Sequence, residues 1–141
     1  MKMIPRRILI FIFALFFGGC AGMQQTQAPP TQPSENTAVI ALLNKAVDQS
    51  AAGQMDQASE NLERALRIEP RNALLWNELA RIRLAQGKYR QAESMAAKSN
   101  MLTGSSRNLK AENWRIIGEA RNRLGDLQGA REAFEKAESS L

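Results

Sequence analysis

Few side chains in this chain are equipped for covalent or metal chemistry. Its 141 residues include no His and a single Cys, Cys20. Lack of His removes the commonest general base and metal ligand. A lone Cys rules out an internal disulfide and a Cys-rich metal site. There is no Gly-rich phosphate loop: Gly18 and Gly19 abut Cys20, and the other glycines stand singly. The acidic residues are interspersed with basic ones, as in Glu60, Glu63, Arg64, Arg67, Glu69 and Arg71. That pattern reads as a solvated helix face, with no carboxylate pair standing out as catalytic. Asp56 and Asp126 follow turns and read as helix-start residues. The one reactive group is the Cys20 thiol. The expectation is a binding protein without metal or cofactor, not an enzyme.

The elements around Cys20 explain its placement. Lys2, Arg6 and Arg7 form a basic start, and Ile8 to Phe17 is an unbroken run of ten apolar residues. As a helix that run spans only about 15 Å, half of a bilayer core, so a signal peptide over residues 1–19 fits better than a permanent span. The formal charge of +5 includes the three cations of this segment; without them 16 basic residues face 14 acidic ones. The signs are mixed, which speaks against a nucleic-acid stripe. Residues 20–36 are rich in Gln and Pro and have almost nothing to bury, predicting a disordered tether reaching at most about 50 Å.

The remainder, 37–141, repeats itself. Leu42, Trp76 and Trp114 align, and the small residues Ala46, Ala80 and Gly118 follow in step. Next come Gly53, Gly87 and Gly125, then Met55, Tyr89 and Leu127, then Ala58, Ala92 and Ala130. Leu62, Ala96 and Phe134 align, as do Ala65, Ser99 and Ala137. The first two units are offset by 34 residues and the third by 38, the extra residues lying near Ser105 to Asn108. Each unit should be two antiparallel helices joined at the Gly, which takes positive φ and ends the first helix. The small residues let the paired helices approach closely. Trp76 and Trp114 are expected to fill the space between neighbouring units. The four extra residues equal about one turn, so with Ser106 as N-cap the fifth helix should run from about Arg107 to Leu124.

This spacing and pattern resemble the tetratricopeptide repeat. The resemblance implies an all-α fold: three repeats, about 39–72, 73–106 and 111–141, whose six antiparallel helices stack as a short right-handed solenoid. It also implies that the first helix of each pair lines a concave face. Carried over, the protein-binding groove is Ile40, Leu43 and Val47 in the first unit, Leu74, Asn77 and Arg81 in the second, and Glu112, Arg115, Glu119 and Asn122 in the third. Such a groove, apolar at one end and charged at the other, suits an amphipathic segment with an acidic or amide-bearing end. Asn77 and Arg81 occupy places that grip a C-terminal carboxylate in some such domains, but in one unit only, so no carboxylate clamp is expected. At the other end of the stack, Leu127, Phe134, Ala137 and Leu141 are expected to leave a partly open face that a partner or a second copy could cover.

Phe17-Gly18-Gly19-Cys20 resembles the lipobox of bacterial lipoproteins. That implies cleavage before Cys20, lipid on its sulfur and acylation of its new amine, an anchor stabilised by about 0.8 kcal/mol per buried CH₂. Ala21, in place of Asp, implies export to the outer membrane with the domain facing the periplasm. Lipobox, Gln/Pro tether and one small repeat domain together resemble the LpoP-type lipoproteins, as do the segments Leu62 to Asn72 and Ala92 to Asn100. That resemblance implies activation of a bifunctional class A penicillin-binding protein, a peptidoglycan synthase. The alternative is a scaffold or pilotin lipoprotein for a secretin or pilus system, or a periplasmic protease adaptor.

Overall fold

The computed structural model describes residues 34–141. The expected signal peptide, Cys20 and the expected tether up to residue 33 lie outside the described residues. Six helices follow in order: α1 (Thr37–Ala51), α2 (Met55–Ile68), α3 (Ala73–Ala85), α4 (Tyr89–Leu102), α5 (Arg107–Arg123) and α6 (Leu127–Ser139). They form three antiparallel pairs, α1·α2, α3·α4 and α5·α6, stacked along the chain.

The hairpin within each pair is made the same way three times. Gly53, Gly87 and Gly125 have φ of 76°, 73° and 84°, a region closed to most L side chains. The amide after each Gly reaches back across the turn: Gln54 N–H to Gln49 O at 2.8 Å, Lys88 to Arg83 at 2.9 Å, Asp126 to Arg121 at 3.0 Å. The Gly amides themselves bond Ser50, Leu84 and Asn122 carbonyls. This is the Schellman arrangement, which satisfies carbonyls that a helix end leaves unpaired.

Helix starts are less uniform. The Asn36 and Asn72 side chains each accept two backbone N–H groups of the helix they open, and Asp126 accepts from Gly129. Ser106 stands at the N-cap of α5, as expected, but its hydroxyl makes no capping bond. The helix α5 nevertheless has 17 residues against 13 in α3, so the four extra residues add a turn within the stack.

Two apolar clusters result. One joins Val39, Leu62, Leu66, Leu75 and Leu79 between the first and second pairs. The other is built mostly of alanines with Ile116 and Ile117, between the second and third. Ala46, Ala80, Ala58, Ala92 and Ala130 are all buried, as close helix packing requires. Trp76 and Trp114 depart from expectation: both remain half-buried at the edges of the clusters. The Trp76 indole N–H donates to the Pro70 carbonyl at 2.9 Å, and the Lys136 ammonium sits 4.7 Å from the Trp114 ring centroid. A ring with a polar edge is stable at such a wet margin.

The second and third pairs are also joined by a buried polar network. The Asn77 amide donates to Asn113 Oδ1 at 2.8 Å, and the Asn113 amide donates to Ser99 Oγ at 2.8 Å. Ser99 Oγ donates to the Ala73 carbonyl at 2.8 Å, and Thr103 Oγ1 to the Ser99 carbonyl at 2.7 Å. On the flank, Arg83 of α3 pairs with Glu63 of α2, and Arg121 of α5 pairs with Glu93 of α4 at 2.7 Å. The first helices of the second and third pairs are thus each tied by an arginine to the pair before.

Candidate functional site

The first helices of the three pairs line one face, cut by two clefts. The first lies between α1 and α3, which meet chiefly through α2; it encloses about 500 Å³. Its walls are Leu43, Ala46, Val47, Ile82 and Ala85, and Glu78 and Arg81 supply its charge. The second, about 460 Å³, lies between α3 and α5 and is lined by Arg81, Leu84, Tyr89, Glu112, Ile116, Glu119 and Arg123. Arg81 and Ala85 belong to both clefts and form the ridge between them.

Three glutamates and three arginines alternate along this face at helical spacing. Arg81 Nη1 is 3.5 Å from Glu78, Arg115 Nη1 3.6 Å from Glu112, and Arg123 Nε 2.7 Å from Glu119. In every pair the carboxylate lies deeper. Side-chain exposure is 24%, 41% and 37% for the glutamates against 56%, 51% and 59% for the arginines. Burial pushes the Glu78 carboxyl above its usual range, the Arg81 guanidinium pulls it back, and the Glu112 charge pushes it further up. The hydrogen bond and charge of Glu119 hold Arg123 above its ordinary value.

Of the ten groove residues expected, Leu43, Val47, Arg81, Glu112 and Glu119 line the clefts. Ile40, Arg115 and Asn122 are exposed and Leu74 half-buried, all outside the cleft linings. Asn77 is a correction: it is only 2% exposed and spends its amide on Asn113. Its repeat position faces sideways, toward the next pair, so α5 covers it. Arg115, at the equivalent position of the third pair, has no further helix over it among the described residues and stays exposed. Glu78, Ile82 and Ala85 were missed, although spacings of three and four from Arg81 would have found Glu78 and Ala85. At the far end, Leu127, Phe134 and Leu141 are exposed together with Leu124, whereas Ala137 is buried against the core. Among the described residues no three His, Cys, Asp or Glu side chains cluster to hold a metal ion, and no helix is long and apolar enough to cross a membrane.

Comparison with known proteins agrees with this architecture. The tetratricopeptide repeat family profile matches residues 49–102. The globular C-terminal domain of P. aeruginosa LpoP superposes with a TM-score of 0.72 at 37% sequence identity, over 74% of this chain and 99% of that one. The chain belongs to the LpoP family. Two further folds resemble this LpoP-family domain. The second tetratricopeptide domain of Spaghetti (RPAP3), solved bound to the HSP90 peptide SRMEEVD, is 26% identical over 74% of this chain and 94% of that one, with a TM-score of 0.67. The N-terminal domain of stress-induced protein-1 from C. elegans shares the fold at 19% identity and a TM-score of 0.68, over 75% and 88% of the two chains. Curated protein sequences provide no match.

Proposed function

We propose that the chain is an outer-membrane lipoprotein, anchored through Cys20, whose repeat domain docks in the periplasm on a bifunctional class A penicillin-binding protein and activates it. The observation that carries this reading is the 37% identity spanning 99% of the LpoP globular domain. Three features support it. The only Cys directly follows Gly18 and Gly19 at the end of a ten-residue apolar run. The concave face presents apolar and charged side chains in open clefts. The similar Spaghetti domain holds a peptide. The contact surface is centred on Leu43, Val47, Arg81, Glu112 and Glu119, with Ile40 and Arg115 on its exposed flanks.

The test is glycan polymerisation by the purified class A synthase of the same organism, with and without the detergent-solubilised chain. The chain should raise the rate several-fold. Val47→Glu combined with Arg81→Glu should abolish the stimulation while circular dichroism remains that of the parent. In the same preparation, palmitate supplied during growth should label the chain but not Cys20→Ser. No stimulation by the parent chain removes the proposal.

A further inference from the structure

The clefts have a charge arrangement that selects among partners. Along the face lined by the first helices the three carboxylates are less exposed than the guanidiniums they pair with. Glu78 is the extreme case. Its side chain is the least exposed of the six, and it opens into a cleft walled mostly by apolar side chains such as Leu43, Val47, Ile82 and Ala85, with Arg81 and Ser50 the other polar residues of the lining. A carboxylate can accept about four hydrogen bonds. Among the described residues Glu78 has one hydrogen-bonding side chain beside it, Arg81, whose Nη1 lies at the long distance of 3.5 Å. Glu112 adds a second negative charge nearby, and burial already works against the ionised form of Glu78. α1 contributes no charged side chain to the cleft lining, only Leu43, Ala46, Val47, Ser50 and Ala51.

We infer that the cleft between α1 and α3 receives an apolar segment of the partner that carries one basic side chain, and that this side chain pairs with Glu78. An incoming Lys or Arg finds a partly shielded carboxylate, held by Arg81 only at long range, in a cleft walled mostly by hydrocarbon, where an ion pair is stronger than in water. Arg81, more than half exposed, turns outward at little cost to make room. An acidic side chain can pair with the outer guanidiniums, but one that reaches into this cleft is brought against Glu78, with Glu112 nearby, and is repelled there. This chain therefore selects the opposite charge to the acidic SRMEEVD peptide held by the similar Spaghetti domain. The inference deepens the proposed docking function and rests on the same face being the contact surface.

The experiment uses the full chain in detergent and three fluorescein-labelled 14-residue amphipathic helical peptides, alike except for Lys, norleucine or Glu at the centre of the apolar face. Fluorescence anisotropy should rank them Lys, norleucine, Glu, with about tenfold between first and last. Glu78→Gln should erase most of that spread with its helix content unchanged. Arg81→Ala, which removes the internal competitor, should tighten the Lys peptide. Equal binding of the Lys and Glu peptides, preference for Glu, or a spread that survives Glu78→Gln overturns the inference. So does binding of none of the three, and so does a dimer, seen by sedimentation without peptide, that Val47→Glu dissolves, since a second copy would then fill the cleft. Synthase stimulation is read separately. Stimulation without the Lys preference sinks only the charge assignment; the Lys preference without stimulation sinks only the synthase.

Discussion

The junction between the first and second helix pairs uses the same three repeat positions as the junction between the second and third, with opposite chemistry. A shift of 34 residues carries Leu43 onto Asn77 and Ala65 onto Ser99, and a shift of 38 carries Leu75 onto Asn113. Leu43, Ala65 and Leu75 meet inside the leucine-rich cluster. Asn77, Ser99 and Asn113 meet as a hydrogen-bonded chain, fully shielded from water. An apolar contact tolerates sliding, whereas amides and hydroxyls satisfy one another in one register only. The first junction is thus held by volume and the second by geometry. In keeping with this, α3 touches α5 directly, while α1 and α3 stand apart and meet chiefly through α2.

The largest expected effect breaks the second junction with one substitution. Asn113→Ala strands the buried Asn77 amide and opens a void, and should cost about 3 kcal/mol, read as a lower denaturation midpoint. Converting the whole set to the chemistry of the first junction, with Asn77→Leu, Ser99→Ala and Asn113→Leu together, should recover most of that loss, since the two amides and the hydroxyl leave together and only the Ala73 carbonyl and Thr103 hydroxyl each lose one bond. If the triple variant is as unstable as the single one, the two junctions differ in more than these positions.

A smaller effect tests how the third pair matches the other two. Ala46 and Leu62 occupy equivalent positions in the first pair, Ala80 and Ala96 in the second, Gly118 and Phe134 in the third. The larger ring is accommodated by the smaller partner: a Cβ on Gly118 would lie 2.6 Å from Phe134 Cε1. Helix propensity alone favours Gly118→Ala by about 1 kcal/mol, but overpacking costs about 1–3 kcal/mol. The substitution should therefore lower the melting temperature slightly. In a Phe134→Ala background the same change should raise it, and a rise in both backgrounds would remove the size-matching account.

The smallest effect concerns the charge in the apolar junction's cleft. The folded chain holds the Glu78 proton above the usual carboxyl value of 4.5. In the pH window just above 4.5 the folded state then binds more protons than the unfolded one at this site. The contribution of Glu78 is full below that window and is lost as pH rises through the folded value. Glu78→Gln should flatten that part of the stability profile, as measured by urea unfolding at successive pH values. An unchanged slope would show that the cleft does not shield Glu78.

Much of the fold could be read from period and residue size. Gly53, Gly87 and Gly125 announce the turns because positive φ selects glycine, and the 38-residue offset foretells the longer α5. The concave site is less legible. Asn77 and Leu43 occupy one repeat position, yet Asn77 is consumed by an amide 36 residues away. A period describes what each helix repeats, not what the next helix brings to meet it. Glu78 escaped for a related reason: its importance lies in its depth relative to Arg81, and spacing alone does not rank two neighbours by depth. The tryptophans pack against the clusters but are less buried than ring size suggests, because the Trp76 indole N–H bonds a carbonyl and the Lys136 ammonium lies over Trp114 at the margin.

Arg81 and Ala85, shared by the two clefts, also set a ruler. Packed helix axes lie about 8–10 Å apart and α1 and α3 stand farther apart than that, so side chains dropped on either side of the α3 ridge must be separated by at least about that distance. On a helix this is six or seven residues at 1.5 Å each; on an extended strand it is three. Any ligand that occupies both depressions must therefore space its anchoring groups by at least these intervals, and a segment shorter than that can fill only one of them.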